Sequence, residues 1–159
     1  MLVDSGASFH FVDPYLLPGI EKELLDFVKL DPPMCILAAG RNLLQGTSKG
    51  IIQSLVTDTN GIERSVRLPV VIVPGLGKHL FSPCEALRKN CDTVFSVNSH
   101  INVGNHFKIP ITINDAGTPH NISLRVVQGP TIIHGTALTT ATIPGTVMGL
   151  VCCIYRRSC

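Results

Sequence analysis

The stretch GIIQSLVTDTNGIERSVRLPVVIV, Gly50 to Val73, decides the fold class. Two runs rich in Ile, Leu and Val, Gly50 to Thr57 and Ser65 to Val73, flank Asp58-Thr-Asn-Gly61. An Asn-Gly step between two such runs is a strong local signal for a β-hairpin, because both residues tolerate the positive φ that a tight hairpin turn requires. Further runs of the same kind lie at Cys35 to Ala39, Thr93 to Val97, Phe107 to Asn114 and Asn121 to Val127, separated by Gly, Pro, Asn or Asp. Asn114-Asp-Ala-Gly117 predicts a second hairpin. The expected class is mainly β, a barrel or sandwich, with one or two short helices. One helix is expected from Ile20 to about Leu30, where apolar residues fall at 20, 24, 27, 28 and 30 before Asp31-Pro32-Pro33 stops it. The other is expected after Ser82, a residue suited to capping, with Pro83 and Glu85 in its first turn and Arg88 and Lys89 in its last. Gly46-Thr-Ser-Lys-Gly50 lacks the Gly-Lys-Ser/Thr order of a phosphate loop and is expected to be a loop between strands.

A chain of 159 residues suits one domain with a core of its own. The pattern holds to about residue 128, so residues 1–128 are expected to form the β domain and residues 129–159 a poorly patterned C-terminal tail. A net charge of +2 with 15% charged residues offers no basic stripe, and nucleic acid is not an expected partner. Met1-Leu-Val-Asp has neither the basic start nor the apolar run of a secretory signal, which predicts an intracellular, cytoplasmic setting and reduced thiols. The apolar run Val147 to Tyr155 is too short to cross a bilayer, so no membrane is expected. Cys35, Cys84, Cys91, Cys152, Cys153 and Cys159 show no C-x-x-C and no Cys/His spacing suited to zinc. No metal and no cofactor is expected.

Near the start, Leu2-Val3 reads as the end of a strand, with Asp4 projecting from it and Ser5-Gly6 allowing a sharp turn close to a second backbone. Taken alone, Asp-Ser-Gly is more often a turn or a helix cap than a catalytic acid. Two such Asp side chains brought together would have a different chemistry. They cannot both ionise cheaply, so they share a proton, and a water between them meets one base and one acid. The chain offers one other Asp-small-Gly, Asp115-Ala-Gly117, which belongs to the second predicted hairpin turn. One chain is therefore expected to hold half an active site. A serine hydrolase built on Ser5, Ser8 and His10 is disfavoured because Gly-x-Ser-x-Gly is missing.

Three blocks in order, LVDSGASFH (Leu2 to His10), ILAAGRNLLQGTSKG (Ile36 to Gly50) and VPGLGKHLFSPCEAL (Val73 to Leu87), resemble the aspartic protease domain of Ty1/copia-type retrotransposon Pol polyproteins. The resemblance spans Leu2 to about Pro110. It implies a retropepsin-like β-barrel in which Asp4 is the catalytic acid and Ser5 and Gly6 complete its turn. It also implies that Ala38, Ala39, Gly40 and Arg41 form a flap over substrate, that the enzyme is a homodimer, and that its substrate is a Gag-Pol-type polypeptide. The chain departs from the family pattern at Ala39, where an acid is usual, and at His79, where Asn is common. Only Met1 to Val3 precede the acid, where the family has strand sequence, so the chain is expected to be a truncated copy. From a different class comes the alternative of a catalytically inactive β-barrel remnant acting as a structural or peptide-binding module.

Overall fold

In a computed structural model the described residues are 1–38, 42–113 and 120–127. In chain order the strands are β1 (Leu2–Val3), β2 (Phe11–Val12), β3 (Leu25–Leu37), β4 (Leu43–Thr57), β5 (Glu63–Ile72), β6 (Leu80–Phe81), β7 (Cys91–Val94), β8 (His100–Val103), β9 (Phe107–Pro110), β10 (Thr112–Ile113), β11 (His120–Asn121) and β12 (Arg125–Val126). One short helix, α1 (Pro83–Leu87), follows β6, and a single 3-10 turn spans Ile20–Glu23. The protein is mainly β.

The hairpin at Asp58-Thr-Asn-Gly61 joins β4 and β5, which run antiparallel in unbroken register from Ser48 opposite Ile72 to Thr57 opposite Glu63. Burial along β4 alternates from Gly46 onward, as a strand packed on one face requires. Ile52 and Val56 point into the core with Val66, Leu68 and Val70 from β5. Asp58 makes the turn: its Oδ1 accepts from the amides of Asn60 (2.8 Å) and Ile62 (2.9 Å), and its Oδ2 accepts from Arg64 Nε (3.0 Å).

Nine strands form one sheet in the order β10-β11-β1-β6-β2-β5-β4-β12, with β3 beside β12 on the outer edge of β4. The remaining three, β7-β8-β9, form a second antiparallel sheet. Both sheets contribute to one apolar core, in which Ile72, Val12 and Phe81 meet Ile101, Val103 and Ile109. Among the described residues the sheets do not close into a barrel.

Three expectations change. The helix from Ile20 to Leu30 is only the turn Ile20–Glu23, and from Leu25 the chain is strand β3. Its apolar residues fit a helical stripe by spacing, but Leu25, Phe27 and Val28 are exposed and no second element covers them as a helix face would need. Pairing to β4 supplies the backbone hydrogen bonds instead, and Asp31-Pro32-Pro33 falls in an irregularity between Lys29 and Met34 where the ladder skips residues. Gly46-Thr-Ser-Lys-Gly50 lies inside β4, not in a loop. There the glycines serve close packing, since a Cβ on Gly50 would stand 2.9 Å from the backbone oxygen of Leu25 and one on Gly46 would stand 2.8 Å from Val71 Cγ1. Strand β8 lies at His100–Val103, a segment without a clear sequence signal. The hairpin at Asn114 to Gly117, the turn at Asp115 and the tail at residues 129–159 lie outside the described residues.

Candidate functional site

Asp4 follows directly on β1, which lies between β6, running parallel, and β11, running antiparallel. Its place is fixed by the main chain: Leu2 N–H donates to His79 O and Asp4 N–H to Phe81 O, both at 2.9 Å. Asp4 as a residue is half-buried, and the bond at its carboxylate is open to solvent. Its Oδ1 accepts from the Gly6 amide at 2.9 Å, and no other described group bonds it. Ser5 and Gly6 are exposed, and a Cβ on Gly6 would sit 3.3 Å from Asp4 Oδ1, so the small residue lets the turn fold back onto the acid. Ala7 closes the turn with its amide on Asp4 O at 3.2 Å.

Beneath this turn lies Ser82, fully buried. Its hydroxyl donates to Ala7 O at 2.5 Å and accepts from the Glu85 amide at 3.1 Å, which makes it the N-cap of α1. The Ser82 amide donates to His10 Nδ1 at 2.9 Å. His10 is buried against the Phe81 ring, with centroids 4.6 Å apart. Burial lowers its pKa to about 4, so near neutral pH it is uncharged, with the proton on Nε2 and Nδ1 free to accept.

A second buried acid fixes the neighbouring loop. Asp13 accepts from the amides of Tyr15 (3.0 Å), Gly75 (3.3 Å) and Gly77 (2.7 Å), while its own amide donates to His79 Nδ1 at 3.2 Å. Burial alone would raise the Asp13 pKa, but the three amides outweigh it and hold the carboxyl below the usual range. Gly75 and Gly77 both have φ near 78°, the left-handed conformation that this tight loop needs. His79, with its pKa lowered first by burial, thus joins β1 to the end of β2, its carbonyl accepting from Leu2 and its ring from Asp13.

The β3/β4 hairpin extends toward the segment read as a flap. Leu37 pairs with Leu43, and the Ala38 amide donates to Asn42 O at 2.9 Å. Of the predicted flap residues, Ala38 is half-buried at the hairpin's end, and Ala39, Gly40 and Arg41 lie outside the described residues. The hairpin is tied to the Asp4 turn through a small apolar cluster in which Met34, Ile36 and Leu44 pack with Leu2, Ala7 and Val71. Sequence inspection singled out the acid, the hairpin and Ser82 as a helix cap, but not the buried support given by His10 and Asp13 or the bond from Ser82 to Ala7. Of the three residues only Ser82 carried a local signal, its capping position.

A cleft of about 460 Å³, which Asp4 does not line, lies between Val12, Leu17, Ile20, Ile52 and Leu124. Among the described residues no three His, Cys, Asp or Glu side chains gather as metal ligands, and no helix is long and apolar enough to cross a membrane. Cys35 and Cys84 are exposed free thiols and Cys91 is buried. Compared with family models, with curated proteins and with solved structures, the chain matches none.

Proposed function

We propose that the chain is an aspartic endopeptidase of retrotransposon origin, a retropepsin-like barrel that works as a homodimer and processes a Gag-Pol-type polyprotein. The observation that carries this reading is the setting of Asp4. It ends a strand in the interior of a sheet, its Oδ1 is held by Gly6, and its Oδ2 is free of described partners. An acid serving only as a turn former does not need a buried hydroxyl and a neutral histidine beneath its loop. The β3/β4 hairpin, packed on the same cluster as Ala7, supports the flap role.

In such a dimer the two Asp4 carboxyls share one proton, because like charges at short range cannot both persist. The ionised carboxylate takes a proton from the bound water as its oxygen attacks the peptide carbonyl carbon. The protonated partner gives its proton to the carbonyl oxygen. Collapse of the resulting diol returns a proton to the amide nitrogen and breaks the C–N bond.

The test is cleavage of an unstructured peptide by the purified protein at mildly acidic pH. Cleavage is expected to be blocked by a statine-type transition-state mimic and abolished by Asp4→Asn, and cleavage that survives the substitution overturns the reading. A second reading, an inactive remnant that binds extended peptides, is favoured by the outer edge of β3, where Phe27 is 48% and Val28 47% exposed. Peptide binding by a protein that never cleaves supports it.

A further inference from the structure

The turn that carries Asp4 is fastened from below at points far away in sequence. Ala7 is held three ways: its amide donates to Asp4 O, its carbonyl accepts a hydrogen bond from the Ser82 hydroxyl, and its methyl is buried with Phe11, Val71 and Leu80. Gly6, immediately before it, has its amide on Asp4 Oδ1. Holding Ala7 therefore restrains the adjoining Gly6, whose N–H holds Asp4 Oδ1. Ser82 is fixed in turn by His10, which accepts from the Ser82 amide and packs at a tilt of 32° against Phe81, the residue whose carbonyl holds the Asp4 amide. The circuit runs Asp4, Gly6, Ala7, Ser82, His10, Phe81 and back to Asp4. A hydroxyl is required at position 82, because one group must both donate to Ala7 O and accept from Glu85 N.

We infer that His10 and Ser82 are positioning residues for the Asp4 carboxylate, acting through Ala7 and Gly6 rather than on substrate. The inference deepens the peptidase reading and rests on it for its kinetic consequence, but the clamp itself is open to a measurement that needs no catalysis.

The experiment is amide hydrogen exchange followed by NMR on the full chain, together with peptide-cleavage kinetics, for Ser82→Ala, His10→Leu and Ser82→Thr. Loss of one clamping bond is expected to speed exchange of the Gly6 and Ala7 amides about 10-fold in the first two variants, while Val70 and Ile72 in β5 keep their protection. In the same variants kcat is expected to fall on the order of 10- to 100-fold with KM nearly unchanged, the pattern of a misaimed catalytic group. Ser82→Thr, which keeps both donor and acceptor, is expected to recover most of both quantities. Unchanged exchange at Gly6 and Ala7, or a uniform rise that includes β5, overturns the inference. If the wild-type chain does not cleave, the peptidase reading fails while the exchange arm still decides the clamp. If Ser82→Ala does not fold, His10→Leu carries the same comparison.

Discussion

His10 is a buried base whose protonation the fold opposes. Its pKa lies near 4 in the folded chain against an ordinary 6.5, so protons bind more readily to the unfolded state. The stability it contributes is complete above about 6.5 and is lost as pH falls toward 4. The shift corresponds to about 3 kcal/mol. Urea denaturation at pH 7, 5.5 and 4 is expected to show that decline, and His10→Phe to flatten most of it, with His79, also lowered by burial, accounting for part of the remainder. Asp13 and Asp58, both held below the ordinary carboxylate range, add a second loss at still lower pH. Gly50 is sensitive for a different reason. The atom a Cβ would meet is backbone, which cannot swing aside, so Gly50→Ala is expected to cost about 1–3 kcal/mol in the same assay. Apart from the turn at Asp58, none of this was legible in the sequence. Ser82, the partner of His10, and Gly75 and Gly77, two of the partners of Asp13, lie more than sixty residues away, and no local pattern records a bond of that span.

At the scale of elements, the long pairing of β4 with β5 was legible and the stretch before it was not. Gly50 to Val73 consists of two runs rich in Ile, Leu and Val joined by their own turn residues, so composition and turn chemistry agree. From Ile20 to Leu30 the spacing matched a helix, yet only Ile20 and Leu24 are buried, and from Leu25 the chain is an edge strand in which Leu25, Phe27 and Val28 are exposed. Strands β2 and β6, two residues each, are too short to show a period, although they form the middle of the large sheet. The two ion pairs at the hairpin base also differ by environment. Asp58 is buried beneath Arg64, whereas Glu63 and Arg125 are both largely exposed. Arg125→Ala is expected to change stability by less than about 1 kcal/mol, and Asp58→Ala is expected to lower the melting temperature clearly more, since it strands the amides of Asn60 and Ile62. Thermal melts of the two variants side by side provide the check.

For the whole molecule, the proposed chemistry needs two chains, since the described residues place no second carboxyl against Asp4. Specific activity is then expected to fall as the protein is diluted, in step with the dimer fraction measured by sedimentation. Activity per molecule that stays constant into the monomer range contradicts the shared site.

The topology around β1 bears on timing. The two residues that carry Asp4 are flanked by Leu80 and Phe81 on one side and Asn121 on the other, so their neighbours leave the ribosome long after they do. Closing spans of that length is slow compared with forming the β4/β5 hairpin. A nascent chain that has emerged only as far as residue 79 holds the acid but not the strand that seats it. On the proposed peptidase reading, this order of assembly is a built-in delay: cutting would wait until the whole domain has been synthesised and has condensed around its first strand.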